Sequence, residues 1–350
     1  MNQAAASRAT MKDVAARAGV GLATVSRVVN GDAKVSEKTR ILVDQAIADL
    51  SFRRNDSARL LRQGIAASIG VVLDDVADPF FSTLNRAVET QAIARKTLSM
   101  TASTGNDAAH AKELIVALCA RRVDGLIVAA PHGTEESYLA DEIRAGTPVV
   151  FVDRPPVALK ADAVLSDNAG GARLGVQHLI AHGHRKIACL SDGSNLYSVR
   201  QRIEAYRQAL AEAGIQAEPV LEHSDGHDGL DLGQWLEAAD ALPESDRPTA
   251  LFCTNSRASV AVLRALRNRS GAEPGAPWPA LLCFDDFELA DVVQPGITVV
   301  AQDPAAIGAA AADLLFRRLD GDTGPASTIT VPTRLIVRGS AETPPVSGRR

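Results

Sequence analysis

Aromatic residues are scarce in this 350-residue sequence: two Trp, three Tyr and eight Phe, 4% of the chain. Any sizeable core must therefore be built from Ala, Val, Leu and Ile. Cysteine is scarce too. Cys119, Cys189, Cys253 and Cys283 lie 70, 64 and 30 residues apart. Those gaps match no zinc or redox motif and suggest single buried thiols in a reducing compartment. No run of about 18 uninterrupted apolar residues occurs, so no membrane span is expected. Met1 to Thr10 is polar and lacks an apolar stretch, so no secretory signal is expected either. No Gly-x-Gly-x-x-Gly follows the first strand candidate, and no Walker loop occurs anywhere. What is present is globular composition, 46% hydrophobic and 23% charged, which excludes low-complexity disorder for most of the chain. At roughly 100–200 residues per domain, two or three domains are expected.

The formal net charge of −5 hides an asymmetry. Residues 1–63 hold 11 Lys and Arg against 6 Asp and Glu, a net of +5; the remaining 287 hold 26 against 36, a net of −10. A small basic head on a larger acidic body suggests a polyanionic partner for the head alone.

Three short helices can be read in that head. Thr10-Met11-Lys12-Asp13 has the form of a capping box, and Gly19 is placed to end the helix through Ala18. Only Val20 and Gly21 separate it from a second helix, Leu22 to Asn30, which Gly31 ends. A third follows Ser36, with Val43, Ala46, Ile47 and Leu50 on one face. Ala15 is small at the expected crossing, and Val14, Ala18, Val20, Val25 and Val29 form the expected miniature core. Leu22, Ala23, Thr24, Ser26, Arg27 and Asn30 are left on the other side of the second helix. Such a helix can enter a DNA major groove. There Arg27 suits a guanine, Leu22 and Ala23 a thymine methyl, and Thr24, Ser26 and Asn30 the phosphates.

The string from Met11 to Gly31, continued by Val35-Ser36-x-x-Thr39-Arg40, resembles the DNA-binding head of the LacI family of bacterial repressors. Two departures stand out. Gly21 occupies the N-cap where the family usually has Ser, and Phe52-Arg53-Arg54-Asn55 replaces Tyr-x-Pro-Asn. Residues 8–53 are then the helix-turn-helix domain, with Thr10 completing the set of residues expected at DNA. Residues 54–64, from Arg54 to Gly64, resemble the family's hinge helix, which is too short to be stable alone in water. The resemblance places Asn55 and Ala58 at the minor groove and makes Leu61 a wedge at the central base step.

From Ser68 onward strand and helix patterns alternate. Strand candidates are Ile69–Leu73, Leu98–Ala102, Gly125–Ala129, Pro148–Val152, Ala163–Ser166, Lys186–Leu190, Ala250–Thr254, Ala280–Phe284 and Thr298–Ala301. That rhythm implies parallel sheets with helices on both faces, and two sheets suit the length. An enzyme finds little support. His178-x-x-x-His182-x-His184 sits at a helix end closed by Gly183, where histidines suit the dipole. His223 and His227 lie in a Gly/Asp-rich loop. Asp74-Asp75 and Asp285-Asp286 are paired acids without an accompanying nucleophile. No metal or cofactor is expected.

Asp78-Pro79-Phe80-Phe81, Arg122 to Ile127, Pro148 to Arg154, Asp167-Asn168, Phe284-Asp285-Asp286 and Gln302-Asp303-Pro304 resemble the periplasmic-binding-protein-like effector domain of the same family. The fold implied is a small all-α helix-turn-helix domain followed by an α/β periplasmic-binding-protein-like domain of two Rossmann-like lobes. The effector domain is expected over 68–338, with an N-lobe of about 68–164 and 296–324, a C-lobe of about 165–293 and 326–338, and a disordered tail over 339–350. Matched to sugar-binding relatives, Phe80 and Phe81 supply flat faces, Asp78, Asn255, Asp285 and Gln302 address hydroxyls, and Arg202 supplies a fork. Tyr197, Ser198, Ser224 and His132 are further lining candidates. Ser256 stands where many relatives carry an acid, which leaves a sugar, a phosphosugar or a nucleoside open.

The resemblance implies a cytoplasmic homodimer, nucleoid-associated when bound to double-stranded operator DNA, that a small sugar-like effector releases. A corepressor-dependent repressor is the alternative. A transport-type solute-binding protein would need a signal peptide and no DNA head. A Rossmann-like enzyme would need a cofactor loop. The Pro-rich end, Gly339 to Arg350, is too short for a tetramerising coiled coil.

Overall fold

The computed structural model describes residues 9–32, 34–52, 66–222, 231–268 and 278–345. The chain divides into two compact units, Met1–Ala66 and Ala67–Arg350.

The first unit contains α1 (Met11–Ala18), α2 (Leu22–Val29) and α3 (Glu37–Asp49). α1 starts at a complete capping box. The Thr10 hydroxyl accepts from the Asp13 amide, and the Asp13 carboxylate accepts from the Thr10 amide at 2.7 Å. It ends at Gly19, whose φ of 65° is left-handed and open to glycine without strain. Val14, Ala15, Val25, Val28, Val43 and Ala46 form the buried core. Val28, rather than the expected Val29, faces fully inward; Val29 is only half-buried. Three residues on from Val25, Val28 falls on the same side of α2.

The second unit is built on two six-stranded sheets. The first contains β1 (Ser68–Leu73), β2 (Leu98–Ser103), β3 (Gly125–Val128), β4 (Val149–Val152), β5 (Asp162–Ser166) and β11 (Thr328–Val331), in spatial order β11-β5-β4-β3-β1-β2. The second contains β6 (Ile187–Ser191), β7 (Leu221–Glu222), β8 (Ala250–Cys253), β9 (Ala280–Phe284), β10 (Thr298–Ala301) and β12 (Arg334–Ile336), in order β12-β10-β9-β8-β6-β7. All pairings are parallel except β10 with β12. The central strands are buried on both faces, as parallel sheets require.

Helices cover those faces. In the N-lobe, Ile69, Val71 and Leu73 pack with Leu84 and Val88 of α4 (Pro79–Ala94) and Ile307 and Leu315 of α11 (Pro304–Leu319). The alternate residues Val72, Leu126 and Phe151 pack with α5 (Ala108–Ala120) and α6 (Ser137–Arg144). In the C-lobe, Cys189, Phe252 and Phe284 meet α7 (Asn168–Ala181) and α8 (Tyr197–Glu212). Leu190, Leu251 and Cys283 meet α9 (Leu232–Ala241) and α10 (Ser256–Arg267). Gly308 lets α11 approach α4: a Cβ there would lie 2.3 Å from the Leu84 carbonyl oxygen.

Two expectations about chain organisation are corrected. β10 belongs to the C-lobe sheet, where it pairs with β9, and β11 belongs to the N-lobe sheet, beside β5. The late crossovers therefore fall after Ala301 and around 332–333, not near 295 and 325. The second crossover carries the single Pro332 and the first has no Gly or Pro before Pro304, whereas Gly and Pro cluster at 294–296 and 321–325. The tail is not loose over 339–345. Ser340 and Ala341 are buried. Leu281 N donates to the Ser340 carbonyl at 2.9 Å, Ser340 N to Gly296 O at 3.0 Å, and Thr298 N to Ser340 Oγ at 2.8 Å. Small residues that read as flexible here fit extended chain against a sheet. Residues 346–350 and the hinge at 54–64 lie outside the described residues.

Cys189, Cys253 and Cys283 are buried, while Cys119 is only half-buried. Burial and the nearby Glu142 push the Cys119 thiol up to about 12, so it is an unreactive thiol.

Candidate DNA-reading helix and inter-lobe cleft

In the head, α1 and α3 bury one side of α2. Leu22, Ala23, Arg27 and Asn30 lie exposed on α2 or at its end, with Thr24 and Ser26 half-buried beside them. The Arg27 side chain makes no hydrogen bond or ion pair with any described residue, although its carbonyl accepts from Asp32 N at 2.9 Å. Asn30 Nδ2 donates to Ser26 Oγ at 3.3 Å, which aligns two polar groups along one helix edge. Thr10 is exposed, but its hydroxyl is engaged with Asp13. Gly21 caps α2 with no side-chain hydrogen bond. Asn55, Ala58 and Leu61 lie outside the described residues.

In the body, the carboxyl ends of the strands of both sheets converge on a cleft of about 290 Å³ between the lobes, the place where ligands bind in such sheets. All seven residues expected there line it: Asp78, Phe80, Phe81, Arg202, Asn255, Asp285 and Gln302. Ser198 lines it too. Tyr197 and His132 do not. Tyr197 packs on the N-lobe core, and His132 pairs with Asn195 at 3.1 Å. Ser224 lies outside the described residues, as do His223 and His227.

The roles are not divided as the resemblance implies. Phe81 is buried in the N-lobe core, so the exposed aromatic edge falls to half-buried Phe80, which meets Phe81 edge-on with centroids 5.0 Å apart. Phe287 adds a second apolar surface from the C-lobe. Several polar atoms already have protein partners. Asp78 Oδ1 accepts from Phe80 N at 2.9 Å, capping α4, and Asn255 Oδ1 accepts from Ala258 N at 2.9 Å, capping α10. Burial raises the Asp78 carboxyl above its ordinary range, which favours the proton-bearing form.

Arg202 is the centre of the C-lobe wall. It is buried, with its guanidinium carbon 3.7 Å from the centroid of Phe284. Nε donates to Asn168 Oδ1 and Nη1 to Thr254 O, both at 2.8 Å, and Nη1 reaches Asp285 Oδ2 at 3.4 Å. Asp285 has a left-handed φ of 73° and also accepts from Gln302 Nε2 at 2.6 Å. Gln302 in turn accepts from Ser166 Oγ of the N-lobe.

Sequence reasoning missed the N-lobe counterpart. Arg154 is buried, donating to Asp153 Oδ2 at 3.1 Å, Asn106 Oδ1 at 3.1 Å and Ala130 O at 2.9 Å, with Asp74 at 3.6 Å. Burial raises the Asp74 carboxyl, although Arg154 and Arg257 pull the other way. Asp192, Arg257 and Asp286 also line the cleft. Each follows a strand end closely, which was the available signal. Among the described residues, no group of three or more His, Cys, Asp or Glu could hold a metal ion. His178 pairs instead with Glu342, and buried His184 with Thr249 Oγ1 and Thr343 O, each at 2.9 Å.

Comparison with known proteins matches both units. Residues 10–55 fit the model of bacterial regulatory proteins of the lacI family, and residues 176–341 that of a periplasmic binding protein-like domain. The ribose operon repressor of Haemophilus influenzae is 30% identical over 95% of this chain and 98% of its own length. The HTH-type transcriptional regulator PtxS of Pseudomonas plecoglossicida is 34% identical over 96% of each. The lac repressor dimer bound to operator and the anti-inducer ONPF superposes with a TM-score of 0.79 at 27% identity, covering 96% of this chain and all of that one. With a helix-turn-helix match over residues 10–55 and a two-lobed cleft in the unit that follows it in sequence, the chain belongs to the LacI family of bacterial regulatory proteins.

Proposed function

We propose that the protein is a repressor that binds a pseudo-palindromic operator as a homodimer and is released when a small sugar-like effector enters the inter-lobe cleft. The observation that carries this reading is the coexistence in one chain of two sites. One is the exposed α2 row of Leu22, Ala23 and Arg27. The other is a cleft walled by Phe80, Arg202 and Asp285. A neutral or weakly charged polyol needs convergent acceptors, a guanidinium fork and an apolar face. One head offers few base contacts, so two on one palindrome supply affinity and specificity. The solved operator complex of the lac repressor is likewise a dimer.

Arg27 reads a guanine, Leu22 and Ala23 address thymine methyls, and Thr10, Thr24, Ser26 and Asn30 meet phosphates. By the family resemblance, Asn55, Ala58 and Leu61 act in the minor groove. The protein works in the cytoplasm, where its operator is, and leaves its effector chemically unchanged. Among the described residues, no helix is long and apolar enough to cross a membrane.

Selection of fragments bound from the source genome, sequenced at moderate salt without ligand, tests the reading. A recovered palindrome is the expected result. No enrichment, with or without sugars added, contradicts it.

A further inference from the structure

The charges that line the cleft are unequally answered by the protein. Asp74 and Asp153 face Arg154. Asp285 faces Arg202 and Gln302. Asp286 accepts from both terminal nitrogens of Arg338, at 2.7 and 2.8 Å. Asp192 accepts from Ser194, and Asp78 caps α4. Each of the six lining carboxylates among the described residues therefore has a donor or an ion-pair partner within the chain.

The three lining arginines differ. Arg154 and Arg202 are buried among their partners. The Arg257 side chain is exposed at the second position of α10 and makes no hydrogen bond or ion pair with any described residue. Its charge is felt by Asp74 and Asp78 of the opposite lobe, yet it closes on neither. A cation in the first turn of a helix also opposes the helix dipole, whereas Arg264 and Arg267 at the other end of α10 suit it. Among the described residues, the one lining cation whose side chain has no partner thus stands at a position the fold itself disfavours, open to the cleft.

We infer that the cleft selects a polyol that carries an anionic oxygen group, a carboxylate or a phosphate ester, gripped by the Arg257 guanidinium. The inference rests on the reading of the cleft as the effector site. A guanidinium presents two parallel N–H groups to either oxyanion. Among the described residues the lining holds six carboxylates against three arginines, so an anion is admitted only where a guanidinium answers it directly. That makes Arg257 decisive for this ligand class.

The test is calorimetric titration of the full-length protein and Arg257→Gln with matched probes. These are D-glucose, D-gluconate and D-glucose 6-phosphate, and D-ribose, D-ribonate and D-ribose 5-phosphate. Arg257 is exposed, so the variant should melt as the wild type does. The expected result is that one anionic probe binds at least about 10-fold more tightly than its neutral parent, and that Arg257→Gln abolishes that margin. The carboxylate and phosphate arms show which oxyanion is meant. If a neutral sugar binds as well as its anionic partners, the inference is overturned and the effector cleft stands. If Arg257→Gln weakens neutral and anionic probes equally, and Asp78→Asn does the same, Arg257 is a latch between lobes and the inference is again overturned. If none of the six binds, the sugar-cleft reading falls with it.

Discussion

The two lobes share one strand order but treat their central arginine differently. In the N-lobe, Arg154 is enclosed by Asp74, Asp153, Asn106 and a backbone carbonyl. In the C-lobe, Arg202 donates to Asn168 Oδ1 and Thr254 O, both at 2.8 Å, stacks on Phe284 and reaches one carboxylate, Asp285, at 3.4 Å, while Asp285 also holds Gln302. Both arginines face the same cleft, and both aspartates that follow the adjacent strands, Asp153 and Asp285, are left-handed. Two buried carboxylates on one guanidinium make Arg154 a framework residue. The single long contact to Arg202 leaves Asp285 able to exchange partners with a ligand. A shared topology thus carries a rigid wall on one side and an addressable one on the other.

Removing each arginine tests that difference most strongly. Arg154→Ala leaves two buried carboxylates unanswered and should cost about 3–5 kcal/mol in urea unfolding. Arg202→Ala leaves Asp285 with Gln302 and should cost less, about 2 kcal/mol, while abolishing sugar binding. Equal losses of stability would break the comparison.

The head gives the next effect. Arg27→Ala should weaken operator binding by about 1–3 kcal/mol and relax preference at one base pair. Uniform weakening across all sequences would make Arg27 a phosphate contact instead.

The C-terminal strap sharpens the contrast between lobes, because among the described residues it is fastened to the C-lobe. Glu342 accepts from Thr298 Oγ1 at 2.9 Å and Gly339 N at 2.7 Å, and it pairs with His178. Despite its burial, these partners hold its carboxyl below its ordinary value of 4.5. A depressed carboxyl stabilises the fold above its ordinary value and loses that contribution as pH falls through the folded one. Wild type should therefore exceed Glu342→Gln by about 1 kcal/mol at pH 7. The gap should close below pH 4.5, at progressively lower pH. A gap that stays constant from pH 7 to pH 2 would show that the charge of Glu342 contributes nothing.

The smallest effect compares the starts of α1 and α2. Thr10 caps α1 on both sides of its box, whereas Gly21 leaves α2 without a side-chain cap. A Cβ at Gly21 meets nothing closer than Thr24 Oγ1 at 4.0 Å, and its φ of −69° suits any residue. Gly21→Ser should stabilise the head by a few tenths of a kcal/mol in thermal unfolding. Destabilisation would mean that the N-cap tolerates only glycine.

Legibility in the sequence followed local physics. The central strands are apolar runs of four to six residues between turn signals, and each lies within a residue or two of its expected place. β7, β11 and β12 escaped notice because edge strands are short and half-polar: Thr328, Ile329 and Thr330 are all exposed. The cleft residues were legible where a motif carried them, as with Asp78, Phe80 and Asp285. Arg257 and Phe287 had no such motif. Their place is set by which strand ends the two sheets bring together. Tail burial was invisible because Gly339, Ser340 and Ala341 read as linker in composition and as sheet partner only in register.

The most direct measurement is operator affinity of wild type and Asp285→Ala, each with and without the probe sugar that binds the cleft most tightly. The account predicts that the sugar lowers wild-type affinity roughly 5–150-fold, and that Asp285→Ala binds operator normally but ignores the sugar. An Asp285→Ala protein that still responds, or a wild-type operator affinity unchanged with the cleft filled, would contradict it.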